Sequence, residues 1–127
     1  MGEIITFTVK GDHNRTTKWL QAMTQLNIPA IMQSCGQDGV NALAAATPED
    51  TGLAAHSWSF VVEASGGVYT ISWTNSDVEN GFPVVIMLQY GHGVPGGYVQ
   101  GRDFINPAIK PVFDQIADRV WKAVTSA

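Results

Sequence analysis

Residues 88 to 109, "LQYGHGVPGGYVQGRDFINPAI", hold the densest set of chemically suggestive residues in the chain. Gly91, Gly93, Gly96, Gly97 and Gly101 would let a backbone wrap an anion, His92 offers a metal ligand or proton carrier, and Arg102 and Asp103 precede a helix start. A phosphate loop needs inward-facing amides running straight into a helix N-terminus, usually with Lys then Ser or Thr. The run "GHGVPG" satisfies G-x-G-x-x-G, yet Pro95 lies inside it, no Gly-Lys-Ser follows, and the next helix is expected only at Asn106. A nucleotide site is therefore not expected.

Other chemistries lack a constellation. His13, His56 and His92 lie far apart with no paired His or Cys spacing, so no metal site is expected and His92 reads as a turn or interface residue. His56 beside Ser57 is an adjacency on a strand, where neighbours point to opposite faces, so no nucleophile and base pair follows. Glu49 and Asp50, next to Thr51 and Gly52, read as turn residues. Cys35, the single cysteine, sits among helix formers and reads as a small buried apolar side chain. No catalytic residue and no cofactor is expected.

The chain has 127 residues, 45% hydrophobic and 14% charged, which fits one domain over 1–127 with surplus apolar surface, most commonly used for self-association. Its net charge of −4 and seven scattered Lys and Arg provide no basic stripe for phosphates, so tight nucleic-acid binding is not expected. The opening "MGEIITFTVKGDH" does not read as a signal peptide, and "FPVVIMLQY" falls well short of a membrane span. The expectation is a soluble protein made in the cytoplasm.

These residues must be positioned by a small set of elements. "EIITFTV" alternates and reads as a strand ending at Lys10 and Gly11. Trp19, Leu20, Met23 and Leu26 recur at helical spacing between Asp12 and Asn27, giving a first helix. A second helix is expected from Pro29 to Thr47, with Gly36 and Gly39 marking a kink or a place where another backbone comes close. From Ser57 the period becomes two: Trp58, Phe60 and Val62 share a face, "EASGGVY" turns, and Tyr69, Ile71 and Trp73 return as the second strand of a hairpin. "PVVIMLQY" fits a buried strand or a short helix with Pro83 in its first turn, because continuous apolarity does not separate the two. Asn106 is expected to cap a last helix with Pro107 as its first residue, its apolar stripe being Ile109, Phe113, Ile116, Val120 and Val124, with Pro111 bending its start. The order predicts an α+β domain: a small antiparallel sheet with a central hairpin, two helices before it, and a long C-terminal helix packed on one face.

Two segments together carry a resemblance. Pro48, Asp50, Thr51 and Gly52 form a turn leading to Ser57 and Trp58; after the hairpin come Tyr90 and Gly91, then Arg102, Phe104, Pro107 and Ala108 opening the last helix. This order resembles the head-tail joining (tail completion, or neck) proteins of long-tailed double-stranded DNA phages and prophages, over roughly residues 40 to 125. The chain departs from the pattern after Leu53, where Ala54 and Ala55 stand in place of a basic residue often found there. The resemblance implies a structural, non-enzymatic virion protein assembled from the host cytoplasm into a ring, commonly six-fold, between connector or stopper and tail tube, with DNA passing through and no membrane involved. A tail terminator or other virion ring protein is the nearest alternative. A small-molecule-binding protein or hydrolase with a pocket of Trp58, Trp73, Tyr90 and His92 is a more distant one.

On that reading the glycine-rich stretch is a docking loop, with Tyr90, Gly91, His92, Gly96, Gly97, Tyr98, Arg102, Asp103 and Phe104 at the interface. Fixing a residue's backbone costs about 1 to 2 kcal/mol, so ordering residues 91–101 costs on the order of 10 to 20 kcal/mol. The loop is expected to be mobile in the isolated subunit and to order against a neighbour, anchored by Tyr90, Tyr98 and Arg102. Arg102 and Asp103 are expected either to pair with each other or to hold the loop's base near the helix N-terminus.

Overall fold

A computed structural model describes residues 4–10, 28–48, 52–65, 68–79 and 81–125; the side chains of residues 10, 92, 94, 124 and 125 are outside that description. The helix expected between Asp12 and Asn27 falls outside the described residues. The described chain is α+β, with three helices and a small antiparallel sheet. No described helix is long and apolar enough to cross a membrane.

The strands β1 (Ile5–Lys10), β2 (Trp58–Ser65) and β3 (Val68–Asn75) form the sheet in the order β1-β3-β2. Alternation sorts their side chains. Trp58, Ile71 and Trp73 are buried on one face, with Phe7, Phe60 and Tyr69 packed beside them, whereas Thr6, Thr8, Ser59, Val61 and Glu63 stand exposed on the other. The hairpin expected from the period-two pattern is therefore present, with Ser65 opposite Val68 at its closed end.

Helix α1 (Ile28–Ala46) buries Ile28, Met32, Cys35 and Leu43 and packs against β2 and β3. Gly36 and Gly39 do not interrupt it. A Cβ at Gly36 would run into the Phe60 ring, and one at Gly39 would overlap the Trp73 indole. It is thus aromatic side chains of the hairpin, not another backbone, that need the missing Cβ. Trp73 Nε1 donates to Gly36 O at 3.0 Å, so the close approach also satisfies a buried indole N–H.

"PVVIMLQY" resolves into a short helix, α2 (Val84–Tyr90), with Pro83 at its N-cap in extended conformation. A two-residue ladder, β4 (Val78–Glu79) with β5 (Phe82–Pro83), leads into it. The last helix, α3 (Ile105–Thr125), packs on α1 and sets Phe113 4.9 Å from Phe7 and 5.9 Å from Trp73, ring centre to ring centre. Ile109, Ile116 and Val120 are buried, as the stripe predicts, and Ile105 and Val112 join them. The expected cap is displaced: Asn106 already lies within the first turn, and the residues that close the helix end are Gln89 and Asp103.

Candidate functional site

The glycine-rich stretch is a β-ribbon. Strands β6 (Gly91–Val94) and β7 (Gly97–Gln100) pair antiparallel, with Gly91 opposite Gln100 and Val94 opposite Gly97. Pro95 and Gly96 make the turn, and Gly96 has φ 85°. Proline followed by a residue of positive φ is the pattern of a type II turn. Pro95, which argued against a phosphate loop, is thus what turns the ribbon. A main-chain ladder meets part of the ordering cost from within the segment, which a loop would have left to a partner.

The ribbon's base is tied to the body by contacts only glycine permits. Gly91, with φ 85° and ψ 168°, ends α2, its N–H donating to Met87 O. A Cβ there would meet the Tyr98 hydroxyl and Val99 O, and one at Gly101 would meet Gly91 N and Gln89 O. The returning strand is then fixed by Tyr98 Oη donating to Tyr90 O at 2.9 Å and Arg102 N donating to Leu88 O at 3.0 Å. Gly93 and Gly97, by contrast, have open space around them.

Beyond its base the ribbon faces solvent. Tyr90 is 68% exposed, Tyr98 64% and Val99 44%, and Gly96 and Gly97 are exposed at the tip. The His92 side chain lies outside the described residues. Phe104, expected at the interface, is only 4% exposed and belongs to the core cluster, so it is not available to a partner.

Gln89 is the residue that sequence reasoning missed. It is buried, and its amide serves both sides of one junction. Oε1 accepts from Phe104 N and Ile105 N, each at 3.0 Å, while Nε2 donates to Asp103 Oδ1 at 2.7 Å. That same carboxylate oxygen accepts from Asn106 Nδ2 at 3.1 Å and from Asn106 N at 3.4 Å. The first amides of α3, which no intrahelical carbonyl can reach, are thereby satisfied by a side chain from α2 and an aspartate at the favourable end of the helix dipole. Of the two expectations for Asp103, it is the second that the geometry meets. Among the described residues Arg102 makes no ion pair with it and points instead toward Ala46 O, 3.5 Å away at the C-terminus of α1.

The other motif-bearing segment is a structural turn. Pro48 is half-buried, Asp50 and Thr51 lie outside the described residues, and Gly52 has φ 81°. Gly52 O accepts from His56 N, lies 2.7 Å from His56 Nδ1, and Ser57 Oγ donates to Leu53 O at 2.6 Å, so His56 and Ser57 serve the turn and not each other. Trp58 Nε1 donates to Thr47 Oγ1 at 2.8 Å, which in turn donates to Leu43 O at 2.6 Å, and Asn75 Nδ2 donates to Ala54 O at 2.8 Å. These bonds staple the turn to the end of α1 and to the hairpin.

A pocket of Trp58, Trp73, Tyr90 and His92 is not assembled. Trp58 and Trp73 are core residues with their indole N–H groups already bonded, whereas Tyr90 is in solvent. Among the described residues no group of three or more His, Cys, Asp or Glu is arranged to hold a metal ion. Cys35 is fully buried, as expected; burial pushes its thiol pKa up, opposed in part by Arg119, whose Nη1 lies 3.5 Å from Sγ. No protein-family model, curated protein or solved structure matches the chain.

Proposed function

We propose that this chain is a ring subunit of a phage neck, joining the connector or stopper of the head to the tail tube. In this reading the chain carries out no catalysis. It assembles from the host cytoplasm into the virion, contacts other copies of itself in a ring, commonly of six, and lets DNA through without binding it. In the described domain α1 and the C-terminal helix pack on one face of the sheet.

The observation that carries this reading is the β6–β7 ribbon: a projecting element with a fixed base and a solvent-exposed aromatic surface at Tyr90 and Tyr98. Both rings are largely in solvent although the Tyr98 hydroxyl is bonded, and tyrosine is enriched among the residues that dominate protein interfaces. A net charge of −4 suits a channel for a polyanion. The docking surface is accordingly Tyr90, Tyr98 and Val99, with Gly91, Asp103 and Gln89 positioning it.

Deletion with complementation tests the reading. Removing the reading frame from the phage or prophage that encodes it should leave DNA-filled heads and free tails that join when purified protein is added. Complete, infectious particles formed without the protein would refute the proposal.

A further inference from the structure

Among the described residues β2 pairs on one side only, with β3, and its other edge is open. Ser76 N donates to Ser57 O, and hydrogen-bonded pairs alternate along an antiparallel ladder. Ser59, Val61 and Glu63 therefore bond to β3, and the main-chain groups of Phe60 and Val62 point outward. This edge is eight residues long with no proline or lysine, Glu63 is its only charge, and Val61 stands 51% exposed along it. Such an edge is a template for a further strand, whereas the opposite edge, β1, ends in Lys10, a residue type that guards edges.

The outer edge of β7 matches it. The two-residue turn at Pro95 and Gly96 makes Val94 and Gly97 a hydrogen-bonded pair, so His92 bonds to Val99, and Tyr98 and Gln100 turn their main-chain groups outward. In keeping with that phase, Gly91 N, opposite Gln100, donates to Met87 O. We infer that β7 of one copy adds to the β2 edge of the next, with Tyr98 opposite Val62 and Val99 opposite Val61, antiparallel as every described ladder is. The inference rests on the neck-ring reading and names the surface on which the ribbon docks. Residues bond across such a seam only where both turn their main-chain groups to it, so Tyr98 faces Phe60 or Val62 and never Val61. Of the registers that remain, this one sets Val99, 44% exposed, against Val61 and covers two exposed apolar side chains at once. A slip of two residues sets Val99 against Ser59 or Glu63 instead. Each copy carries both edges, and the two differ, so the contact runs head to tail, as a closed ring requires.

Disulfide cross-linking in purified particles tests the seam and its register. Val61 and Val99 form a non-hydrogen-bonded pair in it, about 4.5 Å apart at Cα and within disulfide reach. After mild oxidation, particles carrying Val61→Cys and Val99→Cys in one chain should give a ladder of covalent multimers on non-reducing gels. Particles assembled from a mixture of the two single variants should give covalent dimers and nothing larger, since Cys35 is fully buried. Pairing Val99→Cys with Ser59→Cys or Glu63→Cys should lower the yield roughly tenfold, because partners two residues out of register lie about 7 Å apart or more. Wild-type chain provides a readout that needs no variant to fold: the amides of Phe60 and Val62 should exchange roughly tenfold more slowly in particles than in the free subunit. Particles that contain the chain but leave Phe60 and Val62 unprotected, or in which Val99→Cys cross-links to Val9→Cys on β1, would overturn the β2 seam alone. Particles that lack the chain altogether would overturn the neck reading and this inference with it.

Discussion

Gln89 Nε2 donates to Asp103 Oδ1 at 2.7 Å, joining the last turn of α2 to the segment that leads into the C-terminal helix two residues later. The same amide's oxygen caps that helix, so the two strands of the ribbon leave the body on either side of one buried side chain. Ribbon direction and helix start are thus set together. Gln89→Leu removes the acceptor for two amides and the donor for a carboxylate. It should destabilise the domain by about 2 to 3 kcal/mol in urea titration, and Asp103→Ala by about 1 kcal/mol. Because both residues belong to one network, the double variant should cost less than the sum.

Gly39 and Gly36 provide a second prediction, on packing. Gly39→Ala must displace the Trp73 indole, a fully buried group bonded to Gly36 O. Overpacking of this kind costs about 1 to 3 kcal/mol, despite the gain in helix propensity of about 1 kcal/mol that alanine would bring. A lower denaturation midpoint with a shifted Trp fluorescence maximum is expected. Gly93→Ala, with open space at the Cβ, should change stability by no more than about 1 kcal/mol in the same assay.

Tyr98 divides folding from docking. Its hydroxyl holds Tyr90 O while its ring is largely in solvent. Tyr98→Phe should loosen the ribbon base by about 1 kcal/mol and keep the apolar contact, whereas Tyr98→Ala should leave the melting temperature within a few degrees of wild type and abolish joining activity. Hydrogen exchange at residues 91–101, already paired in a ladder, should be slower in the assembled neck than in the free subunit. Equal protection in both states would remove the ribbon from the interface.

Arg102 gives a test of charge. With its guanidinium at the C-terminal end of α1 and no pairing with Asp103 among the described residues, Arg102→Glu should lower stability by about 1 kcal/mol or less. A larger loss in joining activity than in stability would assign Arg102 to the interface as well.

What the sequence made legible follows from where the information lies. Trp58, Phe60 and Val62 against Ser59 and Val61 announce a strand because period two is a property of neighbours along the chain, and Ile109, Ile116 and Val120 announce α3 for the same reason. In "PVVIMLQY" every position is apolar up to Gln89, so no period separates helix from strand, and the spatial neighbours decide. The β6–β7 ribbon is nearly invisible because its ladder is made by main chain and its glycines carry no pattern; Pro95 next to Gly96, a turn pair, was its one local mark. Gln89 was marked only as the polar residue in an apolar run, and its partners lie 14 to 16 residues away in the chain. Phe104 was misplaced for a related reason: adjacency to Arg102 and Asp103 groups it with the docking surface, while its side chain, just before α3, lies in the core.

The most direct measurement of the central claim is the position of the chain in the particle. A reconstruction of the neck, or immunogold labelling with antibody to this chain, should place a ring of it between connector and tail tube, with density for Tyr90 and Tyr98 against a neighbouring subunit. Label at the distal end of the tail, or purified particles without the chain, would contradict it.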